Sequence, residues 1–346
     1  MNVHTPPDAA PLIDIRDLSM SYAGRRGLLN HLTRSEPPKV IAVDAVSLQI
    51  QRGEIFSLVG ESGSGKTTMG RALLRLVEPT GGEVYFRGEN LLQFSRSRMM
   101  EARRDLQMIF QNPYSSLNPR MTVRQTLAEA LSVHRVCPKS EIDGRVMELL
   151  DLVGLGKTHA DRYPRDFSGG QRQRIGIARA LSVEPAFIVA DEPVSAVDVS
   201  VQAQIMNLLL DLRDRLDLTL FFIAHDLSVV QYLSTRVGVM YLGRLVEVAP
   251  RRELFTRPRH PYTQGLLRAA PRPDPRRRSA AVAILGEPPS PLAPPPGCHF
   301  HPRCPMATDV CRTSRPALTT IQTGHLVACH HHEAAADRWT ATGHQP

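Results

Sequence analysis

Apolar and polar residues alternate near the start of the chain, and short apolar runs separated by helical patterns follow. Residues 12–20 (LIDIRDLSM) and 40–50 (VIAVDAVSLQI) alternate with the period of half-buried strands. Ile55–Val59 is a short apolar run typical of a buried strand. Further strand-like runs lie at 187–190, 218–224 and 237–241, with helical patterns at 201–216 and 227–233. This order predicts an α/β domain built on a largely parallel sheet.

The remaining segments carry weaker patterns. A glycine-rich loop follows residue 59, and a helical pattern covers about residues 67–77. Residues 96–165 contain several helical patterns, such as 145–153. Residues 1–11 show no pattern of a regular element, and residues 23–39 are typical of an exposed loop insertion.

The glycine-rich loop has the composition of a phosphate-binding site. Its sequence GESGSGKT fits the pattern G-x-x-x-x-G-K-[ST] between a strand and a helix. Glycines let backbone N–H groups curl around phosphate oxygens, and the helix that follows presents its positive end to them. We expect Lys66 to neutralise the β- and γ-phosphates and the Thr67 hydroxyl to hold Mg²⁺. The predicted nucleotide-binding residues of this loop are Gly60, Glu61, Ser62, Gly63, Ser64, Gly65, Lys66, Thr67 and Thr68.

Two acidic residues, Asp191 and Glu192, follow the apolar run 187–190. They are expected at the carboxyl edge of the sheet, where ligands of parallel sheets bind. Asp191 is predicted to hold Mg²⁺ and Glu192 to polarise an attacking water. An isolated Asp-Glu pair is often only a solvated strand end, but the phosphate loop in the same chain favours the functional interpretation.

A second glycine pair opens a predicted helix that runs to about residue 181. In the segment FSGGQRQR, Ser168 is a natural N-cap, and Gly169 and Gly170 leave backbone N–H groups accessible at the positive end of the helix. This segment, with Gln171, resembles the signature of ATP-binding cassette (ABC) ATPases, and it lies between the phosphate loop and the acidic strand as theirs does. The resemblance implies that ATP on the phosphate loop of one subunit meets Ser168, Gly169, Gly170 and Gln171 of another subunit.

Further roles come from the same resemblance. Gln111, after the apolar stretch 106–110, resembles the glutamine that meets Mg²⁺ and water, and His225 resembles the histidine that contacts the γ-phosphate. Tyr22 resembles the aromatic residue that stacks on adenine. Asp198 belongs to the segment SAVD, which resembles the loop that crosses to the partner subunit, with Val197 where leucine is usual.

The resemblance also implies the architecture. We expect a P-loop ABC ATPase domain over 12–255, with a parallel-sheet core, an antiparallel β subdomain and a helical subdomain inserted at about 112–180. A small, loop-rich extension is expected over 256–346, because this tail holds 15 of the 28 prolines and four of the five cysteines.

Longer motifs resemble one branch of the family, the ATPases of oligopeptide and dipeptide importers. They include QNPYSSLNPR from residue 111, VSAVDVSVQAQ from residue 194, and HPYT from residue 260. The insertion at 23–39 resembles the second, F-type ATPase of such importers. Family members import short peptides, and some relatives import nickel or other small solutes. The implied partners are a second ATPase subunit, identical or related, two membrane permeases and an extracytoplasmic solute-binding protein.

Charge and hydropathy limit the location and the partners. The net charge of +8 lies almost entirely after residue 250, where 13 arginines oppose six acidic residues. A nucleic-acid-binding protein would usually carry a basic stripe on its folded body, so no nucleic-acid partner is expected. No run reaches the ~18 apolar residues of a membrane span. The start of the chain has no apolar core of a secretion signal. These features predict a soluble, cytoplasmic chain, and the resemblance to importer ATPases implies a peripheral position at the cytoplasmic face of the membrane.

Four cysteines cluster in the tail, at positions 298, 304, 311 and 329. Four thiols in 32 residues of a cytoplasmic chain favour a metal over disulfides. No C-x₂-C pair is present, which disfavours a zinc ribbon. Four thiolates can hold a [4Fe–4S] cluster, and this tail resembles those of cluster-carrying importer ATPases. The predicted ligands are Cys298, Cys304, Cys311 and Cys329, with zinc and unligated or disulfide-forming thiols as alternatives.

Two rival functions remain open on the sequence. One is a soluble ABC ATPase that acts on nucleic acid or ribosomes, although that class usually carries two cassettes or a long coiled coil. The other is a redox or metal sensor in which the cysteine tail is the primary element.

Overall fold

The computed structural model describes residues 10–23, 39–195, 197–270, 284 and 286–341. Most of the predicted insertion at 23–39, and Ala196 of the SAVD segment, lie outside these residues. The chain divides into two compact units. The first unit comprises residues 1–12, 51–55 and 87–223, and the second comprises residues 13–50, 56–86 and 224–346.

Strands and helices alternate along the described chain. The strands are β1 Ile13–Ala23, β2 Lys39–Ile50, β3 Ile55–Val59, β4 Gly81–Phe86, β5 Glu89–Asn90, β6 Leu106–Ile109, β7 Phe187–Asp191, β8 Thr219–Ile223, β9 Arg236–Tyr241, β10 Arg244–Pro250, β11 Thr319–Gln322 and β12 His325–Val327. The helices are α1 Lys66–Leu73, α2 Arg96–Asp105, α3 Pro113–Ser116, α4 Val123–Val133, α5 Ile142–Leu152, α6 Gly169–Leu181, α7 Val199–Leu216, α8 Leu227–Leu233, α9 Arg251–Thr256, α10 Pro261–Ala269, α11 Asp309–Thr313 and α12 His332–Ala341.

The first unit combines parallel strands with a group of helices. Strands β6, β7 and β8 pair in parallel, with Phe187 opposite both Leu106 and Thr219. All five residues of β7 and of β8 are buried, as the continuous apolar runs predicted. Helices α4, α5 and α6 pack against one another and fall within the segment expected to form a helical subdomain. The parallel strands end at the residues predicted to hold Mg²⁺ and water.

The second unit holds two sheets. Strand β3 pairs in parallel with β9, and β9, β10, β12 and β11 continue as antiparallel neighbours. Strands β2, β1 and β4 form an antiparallel sheet, in agreement with the alternating patterns at 12–20 and 40–50.

The tail contains more regular structure than its composition predicted. Strand β12 pairs with β10, with Val327 opposite Glu247, and β11 extends the sheet beyond it. Phe300 and Trp339 are buried, and the indole N–H of Trp339 donates to the carbonyl of Thr256 at 3.1 Å. The tail therefore packs on elements of the second unit that precede it in sequence.

Most element boundaries agree with the sequence patterns, and one helix ends early. Helix α8 and strand β3 have the predicted bounds. The predicted helix over 67–77 stops at Leu73, and Arg75 adopts a left-handed backbone (φ 49°) that ends it. Among the described residues, no helix combines the length and apolar character needed to cross a membrane.

Candidate functional site

The glycine-rich loop joins the end of β3 to the start of α1. Gly65 lies at the N-cap of α1 with φ 104°. A Cβ atom added there would lie 2.0 Å from the carbonyl oxygen of Ala42, so both the backbone conformation and the space demand glycine. Contacts within the second unit therefore fix the loop shape that the sequence pattern predicted.

Lys66 lies inside this loop. Its ammonium donates to the carbonyl oxygens of Gly60 at 2.8 Å and Glu61 at 2.9 Å, and to the hydroxyl of Ser64 at 3.4 Å. Lys66 is buried in spite of its charge. These contacts hold a cation within the loop, where it can neutralise the charge of a bound polyphosphate.

The other loop residues differ in exposure. Ser62 and Gly63 are exposed at the tip of the loop, and Thr67 and Thr68 are half-buried in the first turn of α1. The first turn of a helix carries backbone N–H groups without an intrahelical acceptor, which favours an anion. The loop can therefore offer a cation, amides and hydroxyls to one phosphate chain.

In the first unit, Asp191 and Glu192 occupy different positions although they are adjacent. Asp191 is the last residue of β7 and is buried. Glu192 follows with a left-handed backbone (φ 45°), and its N–H donates to the carbonyl of Ile223 at 3.0 Å. This turn directs the chain out of the strand, so the two carboxylates can serve different chemistry.

Gln111 reaches Glu192. The amide nitrogen Nε2 of Gln111 donates to Oε2 of Glu192 at 2.8 Å, across 81 residues of sequence. Gln111 follows the end of β6, a neighbour of β7 in the parallel sheet. The sequence assigned both residues to an attacking water, and the structure brings them into hydrogen-bond contact.

The segment that resembles an ABC signature forms the start of α6. The Ser168 hydroxyl accepts from the N–H of Gln171, and the Gln171 side chain accepts from the N–H of Ser168. This capping box fixes the beginning of the helix. Gly170 packs closely, because an added Cβ would lie 2.3 Å from Cγ1 of Val201 on α7. Ser168 is exposed and Gly169 half-buried, so the helix start is accessible.

Three further candidates occupy separate positions. His225 is exposed and follows β8, just before α8. Asp198 is exposed at the N-cap position of α7, and its side chain makes no capping hydrogen bond there. Tyr22 lies on β1 opposite Val40 and is partly exposed. The roles assigned to these residues stay predictions.

The sequence patterns missed two residues that contact the phosphate loop. The guanidinium of Arg303 forms a bidentate ion pair with Glu61, at 2.7 and 3.0 Å. The hydroxyl oxygen of Tyr262 accepts from the N–H of Glu61 at 2.9 Å. Both lie more than 200 residues after Glu61, so no local pattern could have predicted the contacts.

The four tail cysteines line one small cavity of about 10 Å³, together with His260, Phe300 and His331 among others. All four are unpaired thiols. Burial raises the pKa of Cys298, that of Cys304 to about 11 and that of Cys329 to about 12. In the part of the chain that the structure describes, no group of three or more Cys, His, Asp or Glu side chains is arranged to hold a metal ion. The donor set suits a metal chemically, but the arrangement gives the predicted [4Fe–4S] cluster no direct support.

Comparisons with known proteins agree with these features. Residues 43–195 match the family model described as ABC transporter, and residues 246–311 match the oligopeptide/dipeptide transporter C-terminal region. A Brucella ovis protein named for peptide import and ATP binding is 50% identical over 319 residues, 92% of this chain and 97% of that protein. The dipeptide transport ATP-binding protein DppF of Haemophilus influenzae is 46% identical over 321 residues, 93% of this chain and 97% of that protein.

A solved structure shares the fold. It is an ATP-binding cassette described as a dimer in a post-hydrolysis state bound to ADP and Pi, and it is 29% identical to this chain. The TM-score is 0.60, over 69% of this chain and 99% of the cassette. The predicted α/β P-loop fold and ATPase activity are thus confirmed at the level of the family. The chain belongs to the ABC ATPases of the oligopeptide/dipeptide importer family.

Proposed function

We propose that this chain is the ATP-hydrolysing subunit that powers uptake of short peptides, or of a related small solute such as nickel, through a membrane ABC importer. The observation that carries the proposal is the match to relatives named for peptide and dipeptide transport over more than 90% of both chains. The tail matches the peptide-importer family in its own right, which supports import of peptides over other ABC functions.

The hydrolytic roles follow from the chemistry of each side chain. Lys66 binds the β- and γ-phosphates, and the Thr67 hydroxyl would hold Mg²⁺. The Asp191 carboxylate is assigned to the same ion and would bind it when nucleotide is present. Glu192 accepts the proton of the attacking water, and the 2.8 Å hydrogen bond from Gln111 orients its carboxylate. His225 contacts the γ-phosphate. Mg²⁺ bound with the nucleotide would supply positive charge next to the phosphate oxygens.

The signature segment acts on a second subunit. Ser168, Gly169, Gly170 and Gln171 face the γ-phosphate of ATP held by the partner, and Asp198 lies in the loop that crosses to it. Tyr22 stacks on the adenine. The γ-phosphate then bridges two subunits, and its hydrolysis removes the bridge, which opens the dimer.

None of the helices that the structure describes can span a membrane. In this proposal, other subunits of the importer supply the membrane-spanning helices. Two permease subunits and an extracytoplasmic binding protein complete the importer, with this chain at the cytoplasmic face. Relatives named for transport do not favour the nucleic-acid or ribosome alternative.

Reconstitution tests the proposal. This chain is combined in proteoliposomes with permeases from its own membrane extract, its partner ATPase and the binding protein. The proposal expects peptide added with the binding protein to raise ATP hydrolysis and to accumulate inside the vesicles. The proposal would be contradicted by ATP hydrolysis whose rate is unchanged by peptide, nickel and the permeases but is raised by RNA or DNA.

The four tail cysteines form a metal centre in this proposal. Support comes from their convergence on one cavity and from the thiolate preference of iron–sulfur clusters and zinc. Broad visible absorption with matching iron and sulfide contents is the expected result for anaerobically purified protein. A colourless preparation with one zinc per chain would show that the four cysteines bind zinc instead of a cluster. Four titratable thiols without metal would contradict the proposed metal centre.

A further inference from the structure

Glu61 is the second residue of the phosphate loop, and its carboxylate has no role in the hydrolytic mechanism. The carboxylate meets Arg303 through two hydrogen bonds of 2.7 and 3.0 Å. The backbone N–H of the same residue donates to the Tyr262 hydroxyl at 2.9 Å. Both partners belong to the C-terminal tail and lie in the same unit as the loop.

This ion pair is largely withdrawn from water. The side chain of Arg303 is 6% exposed, and that of Glu61 is 26% exposed. Burial alone lowers the pKa of Arg303, but the hydrogen bonds to Glu61 and Tyr241 outweigh it and hold the pKa above its usual value. A buried bidentate pair is geometrically demanding, and removal of one partner leaves a buried charge uncompensated.

The two tail residues are themselves held in place. Tyr262 and Tyr241 pack with their ring centroids 4.6 Å apart, and Phe300 lies 5.3 Å from both rings. Burial raises the pKa of Tyr262, so its hydroxyl remains protonated. Arg303 also lies over the ring of Tyr241, at 5.9 Å. These ring contacts therefore hold Tyr262 and Arg303 in the positions from which they contact the loop.

Glu61 connects the tail to the lysine that binds phosphate. Its carbonyl oxygen accepts from the Lys66 ammonium at 2.9 Å, while its side chain and its N–H are held by the tail. A change at Arg303 or Tyr262 therefore reaches Lys66 through a single residue. Each of these contacts has an ordinary hydrogen-bond length, so Glu61 has little room to move without breaking one of them.

We infer that Arg303 and Tyr262 of the C-terminal tail are positioning residues for ATP binding, which act by holding Glu61 so that the phosphate loop keeps Lys66 in place. The inference rests on the proposed nucleotide-binding role of this loop. It gives the importer-type tail a function in the ATPase cycle: affinity for the triphosphate depends on the tail being folded against the loop.

The test is a double-mutant cycle on the full-length chain, with Mg·ATP affinity measured by displacement of a fluorescent ATP analogue. The variants are Glu61→Gln, Arg303→Met and the double variant. Each single change is expected to weaken Mg·ATP binding about tenfold, which corresponds to about 1.4 kcal/mol. Because the two side chains act as one pair, the double variant should be little weaker than either single variant.

A matched control and a milder change make the result specific. Arg315→Met alters another tail arginine, which is half-exposed and lies 3.6 Å from Asp44, and should leave Mg·ATP affinity unchanged. Tyr262→Phe removes only the hydroxyl and should weaken binding two- to fivefold with the fold intact, as judged by circular dichroism. This variant keeps the inference testable if Arg303→Met fails to fold.

The outcomes separate the inference from the proposed function. Folded Arg303→Met and Tyr262→Phe proteins that bind Mg·ATP like the wild type would overturn the inference, even if their melting temperatures fall. Additive losses in the cycle would overturn it as well, because they would show that the pair is not the unit that acts. Failure of the wild type to bind Mg·ATP would instead overturn the proposed function.

Discussion

At the scale of single residues, Glu192 illustrates how a backbone conformation sets up chemistry. Its φ of 45° is unusual for a residue other than glycine and costs conformational energy. Its carboxylate accepts a hydrogen bond from Nε2 of Gln111, whereas the neighbouring Asp191 is buried. Such strain is common where a side chain must point at a substrate rather than pack into a core.

Glu192→Gln is expected to abolish turnover while leaving nucleotide binding intact. General-base catalysis contributes roughly 10²- to 10⁴-fold, so ATP hydrolysis should fall by at least about 100-fold. Mg·ATP should then hold the subunits together, which size-exclusion chromatography with ATP detects. Glu129→Gln, an exposed change on α4, is the control and should hydrolyse normally. Rapid hydrolysis by the Glu192 variant would show that another group takes the proton.

Local sequence patterns predicted the candidate site residues, but not the distant residues that contact them. The phosphate loop and the acidic strand end are short motifs whose function needs neighbouring residues, so they are visible in the sequence. The Gln111–Glu192 and Glu61–Arg303 contacts join residues 81 and 242 positions apart. Only the folded chain brings such residues together, and composition carries no signal of it.

At the scale of elements, helix α6 combines a structural cap with a proposed functional surface. Its capping box joins Ser168 and Gln171 in both directions. Gly170, the second residue of the helix, allows Val201 on α7 to approach closely. Two predictions separate these roles.

Ser168→Ala should reduce both stability and ATP-driven dimerisation. Loss of an N-cap costs about 1 kcal/mol of unfolding free energy. Ser95 provides the control, since its hydroxyl caps α2 through the N–H of Arg98 at 3.2 Å, outside the signature segment. Ser95→Ala should lower the unfolding free energy by a similar amount and leave dimerisation unchanged. Equal dimerisation of the two variants, measured by light scattering with Mg·ATP, would show that Ser168 does not take part in the contact between subunits.

Gly170→Ala and Gly176→Ala should affect stability in opposite directions, although both glycines lie on α6. A Cβ at Gly170 would clash with Val201, so we expect a loss of about 1–3 kcal/mol. A Cβ at Gly176 meets nothing within 4 Å, so alanine should stabilise the helix by about 0.5–1 kcal/mol. Urea denaturation measures both. Equal effects of the two substitutions would contradict the packing of α6 described above.

His260 gives the tail a predictable dependence on pH. Burial lowers its pKa to about 4, and its Nδ1 accepts from the N–H of Tyr262 at the start of α10. The unfolded chain binds a proton near pH 6.5 and the folded chain only near pH 4, so stability falls as pH falls between these values. The full effect is about 3 kcal/mol, at about 1.4 kcal/mol per pKa unit.

His260→Asn removes the titration but keeps an N-cap oxygen. Its unfolding free energy, from urea titrations at several pH values, should therefore decline less than that of the wild type between pH 6.5 and pH 4.5. Parallel pH profiles of the two proteins would show that folding does not lower the pKa of His260.

Several elements of the body, such as β3 and α8, were predictable to within a few residues, whereas β10 and the strands of the tail were not. Strands β11 and β12 have four and three residues, too few to show a period. They form because β10 offers an edge and because Val327 is buried against the body. Strand β10 itself contains buried Glu247, whose carboxylate accepts from the N–H groups of Arg259 and His260, so its sequence does not resemble a core strand.

At the scale of the whole molecule, the charge excess of the tail has a structural counterpart. One of its 13 arginines, Arg303, is buried and paired with Glu61 of the phosphate loop. The segment that carries Arg303 also carries Cys304, which lines the four-cysteine cavity. The tail thus connects two features that the sequence analysis treated as separate.

The family assignment rests on motifs that sequence comparison detects well, and the tail and the cassette both match it. The solute and the identity of the second ATPase subunit depend on surfaces of other chains, and therefore could not follow from this sequence or this fold.

The central claim is that a phosphate loop built around Lys66 binds ATP, and equilibrium binding of Mg·ATP to the wild type and to Lys66→Ala tests it most directly. Lys157→Ala, a change at another of the four lysines, is the control. The account predicts saturable binding by the wild type and the control, and a loss of at least about 100-fold in the Lys66 variant, because the buried ammonium is the charge that the triphosphate meets. Absence of Mg·ATP binding by the folded wild type, or equal affinity of the Lys66 variant, would contradict the account.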